Sequence, residues 1–262
     1  MPTPLTYTIG TSTTELQVPS SFSELSGAQL IEAARLLTGG EPDMSVLSGI
    51  PADVWADMAP FQQYAVRELF DFISAQSVRE AAFKEWKLPT IRVGEEEWHG
   101  PISNFGNVTW EEFVYADQCV MNGLHRAAIA ALFRPKRKDY DGETDIRIPF
   151  TTYGTTTRFQ LLADLDEAVQ MAILINYRAM RRAALENAYR QIFPYHDTQP
   201  DDDDTSDNST PEPSSFSWIS VHHNLIGDNI QDEDKYLRLN VHTVLHRLNA
   251  IIEESKKNRK RV

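Results

Sequence analysis

One cysteine, Cys119, stands in 262 residues. A lone thiol excludes an intramolecular disulfide framework and any zinc site built from the cysteines of one chain. It fits a reducing compartment. Its neighbours Val120 and Met121 mark it as a small buried apolar residue, and no cationic pair stands beside it to make the thiol reactive. Long apolar runs are missing as well. No window approaches the roughly 18 residues needed to cross a bilayer, and Met1-Pro2-Thr3-Pro4-Leu5 has neither the basic residues nor the apolar stretch of a secretory signal. The expectation is a cytoplasmic chain with no membrane partner. Positive charge is in deficit: the net charge is −13, which opposes nonspecific binding to nucleic acid, since such binders lead with Lys and Arg. Six of the acids, Asp201 to Asp204, Asp207 and Glu212, crowd into one stretch, so the remainder is less acidic than the total implies. The phosphate-cradling patterns GxxxxGK[ST] and GxGxxG are absent, as is the GxSxG nucleophile elbow.

What is present reads as an ordinary folded chain. An apolar fraction of 41% with 24% charged residues is that of globular domains, and this length buries one core, or one core and a satellite. The start is strand-like: Leu5–Ile9 and Glu15–Val18 alternate around a turn at Gly10–Thr13, a hairpin pattern. Helix signals follow. Ser26 with Gln29 is a capping box, Leu30, Ala33, Ala34 and Leu37 keep helical spacing, and Gly39-Gly40 stops the run. Residues 51–58 form a short helix. Pro60 suits a first helical position, and Phe61, Tyr64, Ala65, Leu69, Phe72 and Ile73 make one apolar stripe after it. Leu88–Val93 and Glu97–Ile102 read as extended, with Gly94 between them. Thr109-Trp110-Glu111-Glu112 is a second capping box, with Gly123 breaking its helix before His125–Phe133. Residues 156–193 contain neither proline nor glycine and read as one very long helix or two with a small break.

An acidic Pro/Ser-rich run then reads as a tether, because it holds too little apolar surface to offset the entropy of ordering. Phe216–Ile226, capped by Gly227, is a short helix, and Leu237, Val241, Val244, Leu245, Leu248 and Ile251-Ile252 mark a second amphipathic helix from about residue 232. The expected architecture is mainly α: a helical body over 1–193 with an N-terminal strand pair, an acidic linker over 194–215, and a small helical module over 216–262 with a basic end.

Candidate chemistry is sparse. His242 and His246 are four apart on a helix, but Thr243 stands where a zinc protease needs its glutamate. Asp201–Asp204 lack the spaced ligands and the glycine of a calcium loop. Glu95-Glu96-Glu97-Trp98-His99 reads as a charged strand edge or loop rather than an acid/base site. The basic patches Lys136-Arg137-Lys138 and Lys256–Arg261 lie at helix ends, where cations offset the dipole. No catalytic residue, metal ligand or cofactor is expected, and the chain is read as a non-enzyme. Self-association is left open.

Four stretches stand out in order: residues 20–30 (SSFSELSGAQL), residues 105–113 (FGNVTWEEF), residues 129–135 (IAALFRP) and residues 240–245 (NVHTVL). Together they resemble proteins encoded in the tail region of phages and prophages of Bacteroidetes-type hosts, near the tape-measure gene. They are similar to the tail assembly chaperones of long-tailed phages. None of the four is catalytic. The resemblance implies a helical body, a linker and a smaller C-terminal part that together hold a tape-measure protein soluble and recruit tail-tube subunits in the host cytoplasm. In many phages a ribosomal frameshift adds the C-terminal part; here all three parts are one continuous sequence. Trp218, Leu237, Val241, Leu245 and Leu248 are the expected partner contacts, with the module's own small core as the other reading of all five. A structural virion component, such as a neck, connector or tail-completion protein, is the competing role.

Overall fold

The computed structural model describes residues 2–9, 12–142, 145–193, 218–226 and 233–259. The linker expected over 194–215 and the cap at Gly227 lie outside the described residues. The fold is mainly α, with two small sheets among the described residues.

Strands β1 (Thr3–Ile9) and β2 (Ser12–Val18) form the N-terminal antiparallel hairpin, in register from Thr3 opposite Val18 to Ile9 opposite Ser12. Thr3, Leu5 and Tyr7 are half-buried while Pro4, Thr6 and Thr8 are exposed, as a period of two demands. Helix α1 (Gly27–Leu37) starts at the capping box: Gln29 N–H donates to Ser26 Oγ at 3.3 Å, and Ser26 N–H to Gln29 Oε1 at 2.9 Å. Leu30, Ala33 and Ala34 are fully buried. Gly27 is required for close approach, since a Cβ there would stand 2.3 Å from the Lys87 carbonyl oxygen.

Three short helices follow: α2 (Met44–Ser48), α3 (Ala52–Asp57) and α4 (Pro60–Glu68). The apolar stripe read after Pro60 divides. Helix α4 ends at Glu68, and the residues that point inward are Val66, Phe70 and Ile73. Phe61 and Tyr64 remain 74% and 64% exposed. Helix α5 (Ala75–Glu80) leads to β3 (Thr90–Val93) and β4 (Glu96–His99), antiparallel about Gly94, whose φ is +59°. Helix α6 (Trp110–Met121) and helix α7 (His125–Leu132) are parted at Gly123, φ +71°. Strand β5 (Arg134–Pro135) then adds to β4.

The proline-free stretch is two helices, α8 (Thr152–Leu161) and α9 (Glu167–Arg181), continued by a wider turn of helix over Arg182–Glu186. The break needs no glycine: Asp166 caps α9 by accepting from Ala168 N–H at 2.7 Å. Ile173, Leu174 and Ile175 are all buried, so α9 is central. Its Asn176 accepts from Lys87 and Leu88 N–H at 2.7 and 3.1 Å, which fixes the chain entering β3.

Helices α10 (Trp218–Ile226), α11 (Glu233–Leu237) and α12 (Val241–Arg259) close the described chain. The sequence treats them as a module of their own. Their apolar side chains join the same cluster as the body, Trp218, Leu225, Val241, Val244, Leu245 and Leu248 included.

Candidate functional site

Two of the stretches that carry the resemblance meet in space. Trp110 N–H donates to the Leu239 carbonyl at 2.8 Å and Val241 N–H to that of Val108 at 3.0 Å, a one-step antiparallel bridge. Asn240 does two jobs at this junction. Its Oδ1 accepts from His242 N–H at 2.9 Å, capping α12, and its Nδ2 donates to the Gly106 carbonyl at 2.8 Å. The turn it grips is strained. Asn104 and Phe105 have φ of +57° and +55°, a conformation that costs on the order of 1–3 kcal/mol for a residue with a side chain. Phe105 is held there by full burial and by edge contacts to Trp86, Phe113 and Tyr177, with centroids 6.0, 6.4 and 5.7 Å apart.

The five expected contact residues are placed by the same docking. Trp218 is fully buried, with Trp110, Phe113 and Phe193 around it. Val241 and Leu245 are fully buried and Leu248 is 8% exposed, while Leu237 is half-buried against the cluster. In this conformation they are core of the whole chain rather than an open contact surface. Exposed apolar side chains lie elsewhere, on Phe61, Tyr64 and Tyr153 among others.

The histidines serve packing. His242 Nε2 donates to the Asn104 carbonyl, and its Nδ1 faces the Tyr189 hydroxyl at 3.0 Å. His246 stands edge-on to the same Tyr189 ring, with centroids 5.2 Å apart. His222 Nδ1 accepts from the Trp110 indole at 3.1 Å. Among the described residues no group of three His, Cys, Asp or Glu is arranged to hold a metal ion. Cys119 is buried, and burial raises its thiol pKa, which opposes thiolate chemistry.

Two charged clusters escaped the sequence reading. The first is internal. Glu112, read as half of a capping box, does not reach back to Thr109. Only the Thr109 half forms, with Oγ1 accepting from Glu112 N–H at 3.3 Å. The carboxylate turns inward, 1% exposed, and accepts from Arg147 at 2.7 Å and Arg134 at 3.0 Å. Asp145 joins from the rim, 2.8 Å from Arg147 and 3.3 Å from Arg134. Arg147 also donates to the Leu132 and Asn107 carbonyls, tying α6, the end of α7 and the loop before α8 together. Arg158 lies nearby, donating to Ala130 O; burial and then the Arg134 charge lower its pKa to about 10. Gly154 leaves it room, since a Cβ there would come 2.8 Å from its Nη1.

The second cluster borders solvent. Asp117, 2% exposed, accepts from Trp218 Nε1 at 2.6 Å and Tyr177 Oη at 2.8 Å, and Arg181 Nε lies 2.8 Å from it. Burial and then the Asp117 charge push the Tyr177 hydroxyl well above its ordinary pKa, so it stays a donor. Burial opposes the Arg181 charge most, but the Asp117, Tyr177 and Glu186 oxygens together more than offset it and raise that guanidinium's pKa. Above Asp117 opens a cleft of about 510 Å³, walled by Arg79, Arg178, Arg181, Arg182 and Glu186.

No family model, curated protein or solved structure matches this chain. Among the described residues, no helix is long and apolar enough to cross a membrane. Neither cluster is a nucleophile–base pair or a two-carboxylate acid/base site: the acids are bound to arginines or capped by phenol and indole donors. The arrangement can hold charge and hold shape.

Proposed function

We propose that the chain is a non-enzymatic binding protein that acts as a phage tail assembly chaperone, keeping a tape-measure protein soluble and bringing tail-tube subunits to it. The observation that supports this reading is the outward face of α4. Phe61 and Tyr64, three residues apart and so neighbours on one helix face, are 74% and 64% exposed. Aromatic side chains of this kind bury a large area against a partner at little cost in rotamer freedom. A long helical partner would lay its own apolar stripe along that face. The four stretches that carry the resemblance support the identity of the partner, and two of them form the junction that shapes the body.

This reading moves the contact surface from the C-terminal helices to α4. Truncation after Phe193 would remove core side chains such as Trp218, so point substitutions on α4 are the cleaner test. Co-expression with a phage tape-measure protein should keep that protein soluble. F61S/Y64S should abolish the effect while leaving the thermal unfolding midpoint unchanged. A wild-type chain that neither binds nor solubilises the tape measure would sink the proposal. Stoichiometric retention in purified particles would make the chain a virion component instead.

A further inference from the structure

The arginine-walled cleft reverses the sign of the chain around it. Four arginines, Arg79, Arg178, Arg181 and Arg182, line it with two acids, Asp117 and Glu186. The local balance is therefore two positive charges, in a protein whose net charge is −13. The two acids are already occupied. Asp117 lies 2.8 Å from Arg181, and Glu186 pairs with Arg181 and, at 3.9 Å, with Arg182. Arg182 also donates to the Ala81 carbonyl, which anchors the end of α5 against the helical turn after α9. Arg79 and Arg178 are the surplus. Both are exposed, they come from different helices, and neither lies within ion-pair distance of a carboxylate among the described residues.

We propose that this cleft is a binding site for a compact phosphate-type polyanion, gripped by the Arg79 and Arg178 forks over the Asp117–Arg181 floor. Three features carry the assignment. A volume of about 510 Å³ falls in the range of small-ligand sites. Guanidinium is the side chain matched to phosphoryl oxygens, because its planar fork donates two parallel bonds and it is weakly hydrated enough to give up water. Two forks from separate helices need a ligand with several acceptor oxygens at once, which a phosphate chain supplies and a single carboxylate does not. A long nucleic acid fits poorly, since an acidic body repels the phosphates that extend past the cleft. The floor is pre-organised: Asp117 holds Arg181, and Tyr177 and Trp218 hold Asp117.

This site does not share residues with the α4 face, so it stands or falls apart from the chaperone reading. The test is isothermal titration of the full-length chain with inorganic tripolyphosphate at low ionic strength. Wild type should bind it saturably at one site. R79A/R178A should bind at least about tenfold more weakly, the loss expected when charge-assisted hydrogen bonds of this kind are removed. Both residues are exposed, so the variant should unfold at the wild-type temperature. R79K/R178K, which keeps the charge and loses the fork, should recover only part of the affinity. K136A/K138A removes two cations from the patch after α7 and should bind as wild type does. Absence of saturable binding, an equal loss in K136A/K138A, or citrate binding as tightly as tripolyphosphate would overturn the assignment.

Discussion

Trp218 is the single side chain whose removal best tests how the C-terminal helices belong to the body. Its indole is fully buried, with ring centroids of Trp110, Phe113 and Phe193 at 5.3, 5.2 and 5.6 Å, and its Nε1 donates to the buried Asp117 at 2.6 Å. Two contributions separate by substitution. Trp218→Phe keeps an aromatic body and removes the donor. A hydrogen bond to a charged group is worth about 1.5–3 kcal/mol. Asp117 retains Tyr177 and Arg181, so a loss of about 1.5 kcal/mol is expected, the lower end of that range. Trp218→Ala removes the ring as well and opens a cavity under three aromatic side chains, for a total of about 4 kcal/mol. Urea unfolding followed by far-ultraviolet circular dichroism reads both without relying on the lost fluorophore. The alanine variant should lower the midpoint by about 1.5 M at the slope usual for a chain of this size. A cycle with Asp117→Asn should return a coupling of about 1 kcal/mol between the two side chains. If Trp218→Ala costs less than about 1 kcal/mol, a surface-like value, the docking of α10 on α6 contributes nothing to the core and the argument fails.

Gly27→Ala should destabilise the chain by about 1–3 kcal/mol; an exposed helical glycine would instead gain up to about 1 kcal/mol from alanine, and a stabilised variant would refute the close approach to Lys87. Glu112→Gln leaves Arg134 and Arg147 buried against Asp145 alone, and a loss of about 3–5 kcal/mol in chemical unfolding is expected; a change under about 1 kcal/mol would show that the carboxylate is not what holds the two guanidinium groups. Asp166 is held below the usual carboxylate range, first by the Arg35 fork at 2.9 Å and then by Ala168 N–H. A depressed carboxylate stabilises above its unfolded value of about 4 and loses that contribution as pH falls through the lower folded value. The melting-temperature gap between wild type and Asp166→Asn should therefore be present near neutrality and close under strong acid; a gap constant with pH would rule the ion pair out as its source.

Local signals decided most of the element boundaries. Ser26 and Gln29 lie three residues apart and bond each other whatever the rest of the chain does, and Gly94 and Gly123 turn where only a left-handed backbone can. The period of two in β1 and the unbroken apolar face of α9 are written in neighbouring residues as well. The hairpin and the mainly helical class were legible for that reason. The C-terminal helices were legible as helices but not as part of the body, because an amphipathic stripe states that a face is buried and not against what. Trp218 and Leu245 look the same in sequence whether they fill a small module or the groove beside α6.

Tertiary structure alone decided the rest. Glu112 satisfies the local pattern of a capping box, yet two buried arginines far along the chain draw its carboxylate inward, since a buried guanidinium without an anion costs more than an unmade cap bond. Phe61 and Tyr64 continue an apolar stripe by spacing, but the helix ends at Glu68 and the core accepts Val66 and Phe70 in their place. Arg79 and Arg178 carry no signal of a shared site, because helix spacing relates only residues three or four apart and these two stand on different helices. The chain's sequence determined its helices, its caps, its hairpin and its acidic sign. Which faces those helices bury, and which cations they leave uncompensated around Asp117, depends on contacts between residues distant in the chain, and those are set by packing.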